Sequence, residues 1–189
     1  MKRFVLIAAA VVVAACSGST PAQPGALVSG SASTTASKPD GVVKNWVAHL
    51  VGTNEVPSRD TLAQGQVKFQ LSADGTELSY QLISSNIDNV VASHIHVGAV
   101  GVNGPAVLFL FGNVAAGGGA QDGVLATGAA TGGLVGPLAG QPLSVLIAEM
   151  DAGNTYVNVH TNDGVSPTNT GPGDFPGGEI RGQIERAGH

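Results

Sequence analysis

The feature of this 189-residue sequence that most limits its fold is a series of short apolar-rich runs separated by Gly, Asp and Pro. Residues 66–71 and 77–82 alternate polar with apolar side chains, and Asp74-Gly75 between them suits a reversal of the chain. This pair predicts a β-hairpin. Similar runs lie at 45–51, 90–97, 106–111, 155–161 and 179–184. The pattern predicts an all-β fold, an antiparallel Greek-key sandwich or barrel.

Two stretches depart from this pattern. Apolar residues recur at helical spacing within 143–150, with Pro142 before them and Gly153 after them, which predicts one short helix near 142–152. Residues 114–140 are rich in Gly and Ala and show only a weak strand pattern near 123–131. For this second stretch a loop and an edge strand both remain open.

The N-terminus has the organisation of an export signal. Lys2 and Arg3 precede an apolar run at 4–15, which is shorter than the roughly 20 residues that a membrane-spanning helix needs. The run ends in Val-Ala-Ala-Cys16, which resembles the lipobox of bacterial lipoproteins, and Cys16 is the only cysteine of the chain. We expect a signal peptide at 1–15, lipidation of Cys16, and an exported protein held at the cell envelope. An ordinary secretory signal with a chance cysteine is the alternative.

Composition divides the rest of the chain. Residues 16–43 are rich in Ser, Gly, Ala, Thr and Pro and have too few large apolar side chains to form a core, so we expect a disordered tether. Residues 44–186 make one domain, and 187–189 a disordered tail. Loss of the signal would leave 6 basic and 13 acidic side chains, a formal charge of −7. Such a chain is not expected to bind nucleic acid.

Three histidines are candidate metal ligands. Successive side chains of a strand point to opposite faces, so His94 and His96 share a face, and Tyr156, Asn158 and His160 also share one. Two histidines whose backbones lie about 7 Å apart along a strand can direct their imidazoles to one ion. His94, His96 and His160 are therefore candidate ligands of a copper or zinc ion, which could be redox active, with the fourth position open or filled by water or Glu55. The alternative is that these histidines only form hydrogen bonds at the end of a sheet.

The order of several blocks points to a family. These blocks are WVAHL at 46–50, NEVP at 54–57, SHIHVG at 93–98, GVNGP at 101–105, GNTYVNVHT at 153–161 and GGEIRGQI at 177–184. Together they are similar to the CHRD (chordin) domain. The resemblance implies an immunoglobulin-like or superoxide-dismutase-like sandwich. The CHRD family includes secreted growth-factor-binding proteins and bacterial exported proteins, and it has no settled enzymatic activity. We therefore expect a binding or structural module whose partner is an envelope protein or a glycan.

A weaker likeness is to copper-zinc superoxide dismutase, which also has a His-x-His strand and a distant third histidine. The long zinc loop and the disulfide of that enzyme have no counterpart here, which argues against a two-metal site. Glu179 and Arg181 are expected to share a strand face and to lock the last strand through an ion pair or a hydrogen-bond network. Because the sequence shows no nucleophile arrangement, we favour a non-enzymatic role.

Overall fold

The computed structural model describes residues 43–188 as a domain of β-strands with one α-helix. The predicted signal peptide, Cys16, nearly all of the tether and His189 lie outside the described residues. The predicted all-β class with one short helix is confirmed. The elements are β1 (Lys44–Val51), β2 (Gln64–Leu71), β3 (Leu78–Ser85), β4 (Val90–Val97), β5 (Ala106–Gly112), β6 (Gly123–Ala130), α1 (Leu143–Asp151), β7 (Thr155–Thr161), β8 (Ile180–Gln183) and β9 (Glu185–Arg186).

The strands form one antiparallel sheet that nearly closes into a barrel. Their order is β5-β4-β7-β8-β1-β2-β3-β6, and β9 also pairs with β1. Across the seam between β5 and β6, the Tyr80 hydroxyl donates to the Leu110 carbonyl at 3.0 Å. A Cβ on Gly128 would lie 2.5 Å from that hydroxyl, so the glycine lets Tyr80 cross β6 to reach β5. After β4, β5 and β6 the chain returns through α1 and places β7 beside β4, which is a Greek-key connection.

The predicted hairpin is present as β2 and β3. Leu71 pairs with Leu78, and the six residues between them form a loop in which Gly75 has a φ of +73°. The Asp74 carboxylate accepts hydrogen bonds from Ser72 and Thr76, which close this loop. Within the ambiguous segment 114–140, residues 123–130 form the edge strand β6, which pairs with β3 at one end of the strand order, and most of the remainder is loop.

Helix α1 begins directly after Pro142 and ends in a Schellman motif. Gly153 has a φ of +71°, its N–H donates to the Met150 carbonyl, and the Asn154 N–H donates to the Glu149 carbonyl. The apolar side chains that recur at helical spacing pack into the core, where the buried ones are Leu143, Leu146, Ile147 and Met150. Within residues 43–188, no helix combines the length and the apolar character needed to cross a bilayer.

Alternation along the strands separates two faces of the sheet. One face forms the apolar core, which includes Trp46, Leu50, Ile95, Val157 and Ile180. The opposite face of β4, β7 and β8 carries polar and aromatic side chains and is covered by loops. The candidate site lies on this second face.

Candidate functional site

The three histidines lie side by side on the outer face of β4 and β7. In the antiparallel register His94 pairs with Asn158, His96 pairs with Tyr156, and His160 pairs with Ala92. Directly paired residues of an antiparallel ladder project to the same side of the sheet. The single face formed by these strands therefore brings together His94, His96 and His160, as the alternation of the sequence predicts.

Loops fold over this outer face and shield part of it from solvent. The His96 ring donates from Nδ1 to the Gly104 carbonyl at 2.9 Å, in the loop between β4 and β5. The His160 ring donates from Nδ1 to the Pro176 carbonyl at 2.9 Å, in the loop between β7 and β8. His96 is only 9% exposed as a result.

The ring nitrogens of the three histidines converge. One nitrogen from each ring lies within 4.8 Å of the others, and His94 Nδ1 is 3.1 Å from His160 Nε2. Because a carbonyl only accepts hydrogen bonds, Nδ1 of His96 and of His160 must carry the proton, which leaves a lone pair on Nε2. Among residues 43–188, Nε2 of His94 and Nε2 of His96 are buried and have no hydrogen-bond partner.

Burial keeps these imidazoles neutral. It is the largest cause that lowers the pKa of His94 to about 4, and the neighbouring His160 and His96 add to it. Burial also lowers the pKa of His96 and of His160, against hydrogen bonds that act in the other direction. The neutral imidazole is the form that binds a metal ion, so the cluster is ready for one at neutral pH.

Aromatic and cationic side chains hold the rings in place. Tyr156 stacks on His96 with ring centroids 4.9 Å apart and an interplanar angle of 13°. The Arg181 guanidinium lies 3.4 Å from the centre of the Tyr156 ring, on the side of β8. Phe109 on β5 packs edge-on against His94 at 4.4 Å. The imidazoles therefore have little freedom to rotate.

Arg181 and Glu179 do not form the ion pair that one of our two predictions expected. Arg181 is 2% exposed and donates to the Asn103 side chain at 2.9 Å and to two carbonyls of the same loop. Glu179 is fully buried and accepts from Thr61, Thr161 and the Gly173 N–H. Within the described residues no salt bridge joins the two, because Glu179 precedes β8 and faces a different loop. Both side chains instead form hydrogen bonds, which is the other arrangement that we expected.

Glu55 lies near the histidines without belonging to their cluster. Its carboxyl is 6% exposed, and a Cβ on Gly178 would lie 2.5 Å from Glu55 Oε1 and 2.8 Å from the amide nitrogen of Asn158. Burial raises the pKa of Glu55 to about 7 and outweighs the nearby charges of Arg181 and Arg59. Glu55 is not among the residues whose ligand atoms converge within 4.8 Å, and Asn158, beside it, pairs with His94 across the strands.

The family model for the CHRD domain matches residues 46–184. The chain belongs to the CHRD domain family. The match spans all of the strands that carry the site, from β1 to β8, and it supports a binding or structural module. No curated protein and no solved structure matches the chain. The likeness to copper-zinc superoxide dismutase therefore stays a prediction.

Several residues of the CHRD site were not singled out in advance. The alternation that selects His160 also places Tyr156 and Asn158 on its face, so their role was within reach of the sequence. Gly104 and Pro176 lie in the loops that follow β4 and β7. Their carbonyls reach the histidines through the path of the loops, which local spacing does not specify.

Proposed function

We propose that this protein is an exported, lipid-anchored CHRD domain that binds one copper or zinc ion through His94, His96 and His160. The observation that carries the proposal is the convergence of three ring nitrogens within 4.8 Å on a loop-covered face of the sheet. Imidazole is a common ligand of both metals. Three protein ligands would leave a coordination position for water or a small molecule.

The hydrogen bonds of the rings favour a ligand over a purely structural role. Metal-bound histidines typically donate their second ring nitrogen to a carbonyl or a carboxylate, and His96 and His160 both donate Nδ1 to a backbone carbonyl. Among the described residues, the buried Nε2 atoms of His94 and His96 lack a partner, which costs about 1–3 kcal/mol for each group left unsatisfied. A cation bound at Nε2 of His96 would satisfy that atom.

The first prediction tests this site by metal content and thermal stability. The full chain, loaded with Cu²⁺ or Zn²⁺ and dialysed extensively, should retain about one equivalent in elemental analysis. Linkage should raise its free energy of unfolding by about 2.7 kcal/mol at a free metal concentration a hundred times the dissociation constant. The double variant His94→Ala, His96→Ala should retain no metal and should not be stabilised by it.

The matched control is His49→Ala, because His49 is an exposed histidine on β1. The His49→Ala variant should retain as much metal as the wild type and should be stabilised by it to the same extent. Metal well below one equivalent in the wild type, or equal stabilisation of the wild type and the double variant, would contradict the proposal.

The tether and the lipid supply the location of the proposed function. The lipobox-like sequence ending at Cys16 supports anchoring to a membrane, and two or more acyl chains on one residue hold a protein stably on a bilayer. A flexible segment of about 27 residues has a mean reach of roughly 30 Å, enough to hold the domain clear of the lipid headgroups. An envelope protein or a glycan would then be within reach of the domain.

The second prediction concerns Cys16→Ser. This variant should lose incorporation of radiolabelled fatty acid and leave the membrane fraction. Its domain should melt at the temperature of the wild type, because the predicted tether separates Cys16 from the first strand, which begins at Lys44. Equal labelling of the two proteins would show that Cys16 is not the lipid attachment point.

A further inference from the structure

A cleft of about 530 Å³ lies next to the histidine cluster on the same face of the sheet. Strands β1 and β8 form its floor, and the residues around 53–56 and 100–101 form its walls. Arg181 belongs to the lining, whereas the three histidines do not. The cleft is therefore separate from the proposed metal site, and the proposed metal ion would not fill the cleft.

A carboxyl with one unsatisfied oxygen lies at this cleft. Glu55 is part of the lining and is 94% buried, and within residues 43–188 its Oε1 atom has no hydrogen-bond partner. A buried acceptor without a partner costs free energy that a ligand donor would recover. Neither Arg181 nor Arg59 forms a salt bridge with Glu55 in this part of the chain.

The other polar side chains of the lining have already used donors on the protein itself. The side-chain amide of Gln183 donates to the carbonyls of Gly98 and Gly153. The amide of Asn54 donates to the Arg181 carbonyl, and the guanidinium of Arg181 donates to the loop at 99–103. What Gln183 and Asn54 still offer is their carbonyl oxygens. Together with Glu55 they give the cleft three side-chain acceptors, beside the Thr53 hydroxyl and the His49 ring, which can donate or accept.

Apolar side chains provide the rest of the lining. Val47 lies on β1, and Val56 and Val100 lie on the two loops. Val100 is 77% exposed and Val56 is 37% exposed. A ligand for this cleft thus needs a group rich in donors and a short apolar part.

We propose that this cleft binds a small organic ammonium ion, with its charged group at the Glu55 carboxylate and its alkyl part against Val47, Val56 and Val100. An ammonium group has three donors and no acceptor, which complements a lining of acceptors. Its positive charge compensates the buried carboxylate, and hydrogen bonds between charged groups are stronger than those between neutral ones. An anion would face the oxygens of the buried Glu55 carboxyl and is disfavoured.

Three probes with the same alkyl chain test the charge preference. Butylammonium, butanol and butyrate are titrated separately into the metal-free full chain, and amide chemical shifts report both the affinity and the place of binding. Butylammonium should shift the amides of residues 53–56 and 100–101 with saturation in the millimolar range. Butanol should bind more weakly, and butyrate should cause no shift there.

Two variants test the assigned contacts. Glu55→Gln keeps the shape of the side chain and should weaken butylammonium binding by roughly tenfold or more, the equivalent of one charged hydrogen bond. Val100→Lys places a cation at the cleft and should also weaken butylammonium binding. Because Val100 is exposed, this substitution should not disturb the core. Glu185→Gln, at an exposed acid of the lining, serves as the control and should change the affinity only slightly.

The proposal is overturned if butylammonium causes no shift at these amides, or if butanol or butyrate binds as tightly as butylammonium. Unchanged affinity in both Glu55→Gln and Val100→Lys would overturn it as well. The variant His94→Ala, His96→Ala should bind butylammonium as the wild type does. The outcome is thus independent of whether the histidines bind a metal.

Discussion

At the scale of single residues, the histidine cluster depends on a glycine that makes no side-chain contact. The Gly104 carbonyl accepts from His96 Nδ1 and from the Tyr156 hydroxyl, at 2.9 and 3.3 Å. A Cβ on Gly104 would lie 1.7 Å from the Val97 carbonyl oxygen, far inside van der Waals contact. The loop reaches the imidazole only because this position has no side chain.

The third prediction follows from this close approach. Gly104→Ala should force the loop away from β4, lower the free energy of unfolding by about 1–3 kcal/mol, and weaken metal binding because His96 loses the acceptor that orients it. Urea unfolding of the metal-free protein and a metal titration measure the two effects. Gly132→Ala is the matched control, because among the described residues no atom lies within 4 Å of the added Cβ and φ there is not positive. Equal stability of the two variants would show that the loop has other room to move.

At the scale of elements, one buried carboxylate connects parts of the chain that local sequence does not bring together. Glu179 accepts from Thr61 before β2, from Thr161 at the end of β7, and from the Gly173 N–H in the loop that follows β7. The same loop supplies the Pro176 carbonyl that orients His160. Glu179 therefore fixes one wall of the site without touching a histidine ligand atom.

The fourth prediction is that Glu179→Gln destabilises the domain by about 1–3 kcal/mol. The variant places an amide NH₂ where Glu179 now has an acceptor, so a buried donor is left without a partner. The change should appear in the free energy of unfolding measured with urea. Glu185→Gln, at an exposed position, should stay within about 0.5 kcal/mol of the wild type. If Glu179→Gln unfolds at the wild-type urea concentration, the carboxylate does not hold these elements together.

Individual strands are predictable from the sequence, whereas the contacts that loops make with them are not. Alternation at 66–71 and 77–82 predicts β2 and β3, and alternation around His94 and His160 predicts which side chains share a face, because the strand period is a local property. It does not predict which carbonyl accepts from His96, since Gly104 reaches it through the path of a loop. Of the two arrangements expected for Glu179 and Arg181, the sequence does not decide between the ion pair and the hydrogen bonds, because distant loops supply the partners of both side chains.

At the scale of the whole molecule, the covered face combines two opposite responses to pH. The pKa of His94 is lowered from 6.5 to about 4, so the folded state resists protonation and stability is lost as pH falls through this range. The pKa values of His96 and His160 are lowered too and act in the same direction. The pKa of Glu55 is raised from 4.5 to about 7, so the folded state favours the protonated acid and stability is lost as pH rises through that range.

The fifth prediction uses Glu55→Gln to separate these responses in the metal-free protein. The variant keeps the histidines and removes the cost of ionising a buried carboxyl, so its stability relative to the wild type should increase from pH 4.5 to pH 7, by up to about 3 kcal/mol. Below pH 4.5 the difference should be constant, because Glu55 is then protonated in both states of the wild type. Urea unfolding at a series of pH values measures it, with the exposed Glu185→Gln as a control that should show no such trend. The histidine response is common to both proteins and cancels in the difference, so a difference that does not change with pH would place the Glu55 carboxyl at an ordinary pKa and in contact with solvent.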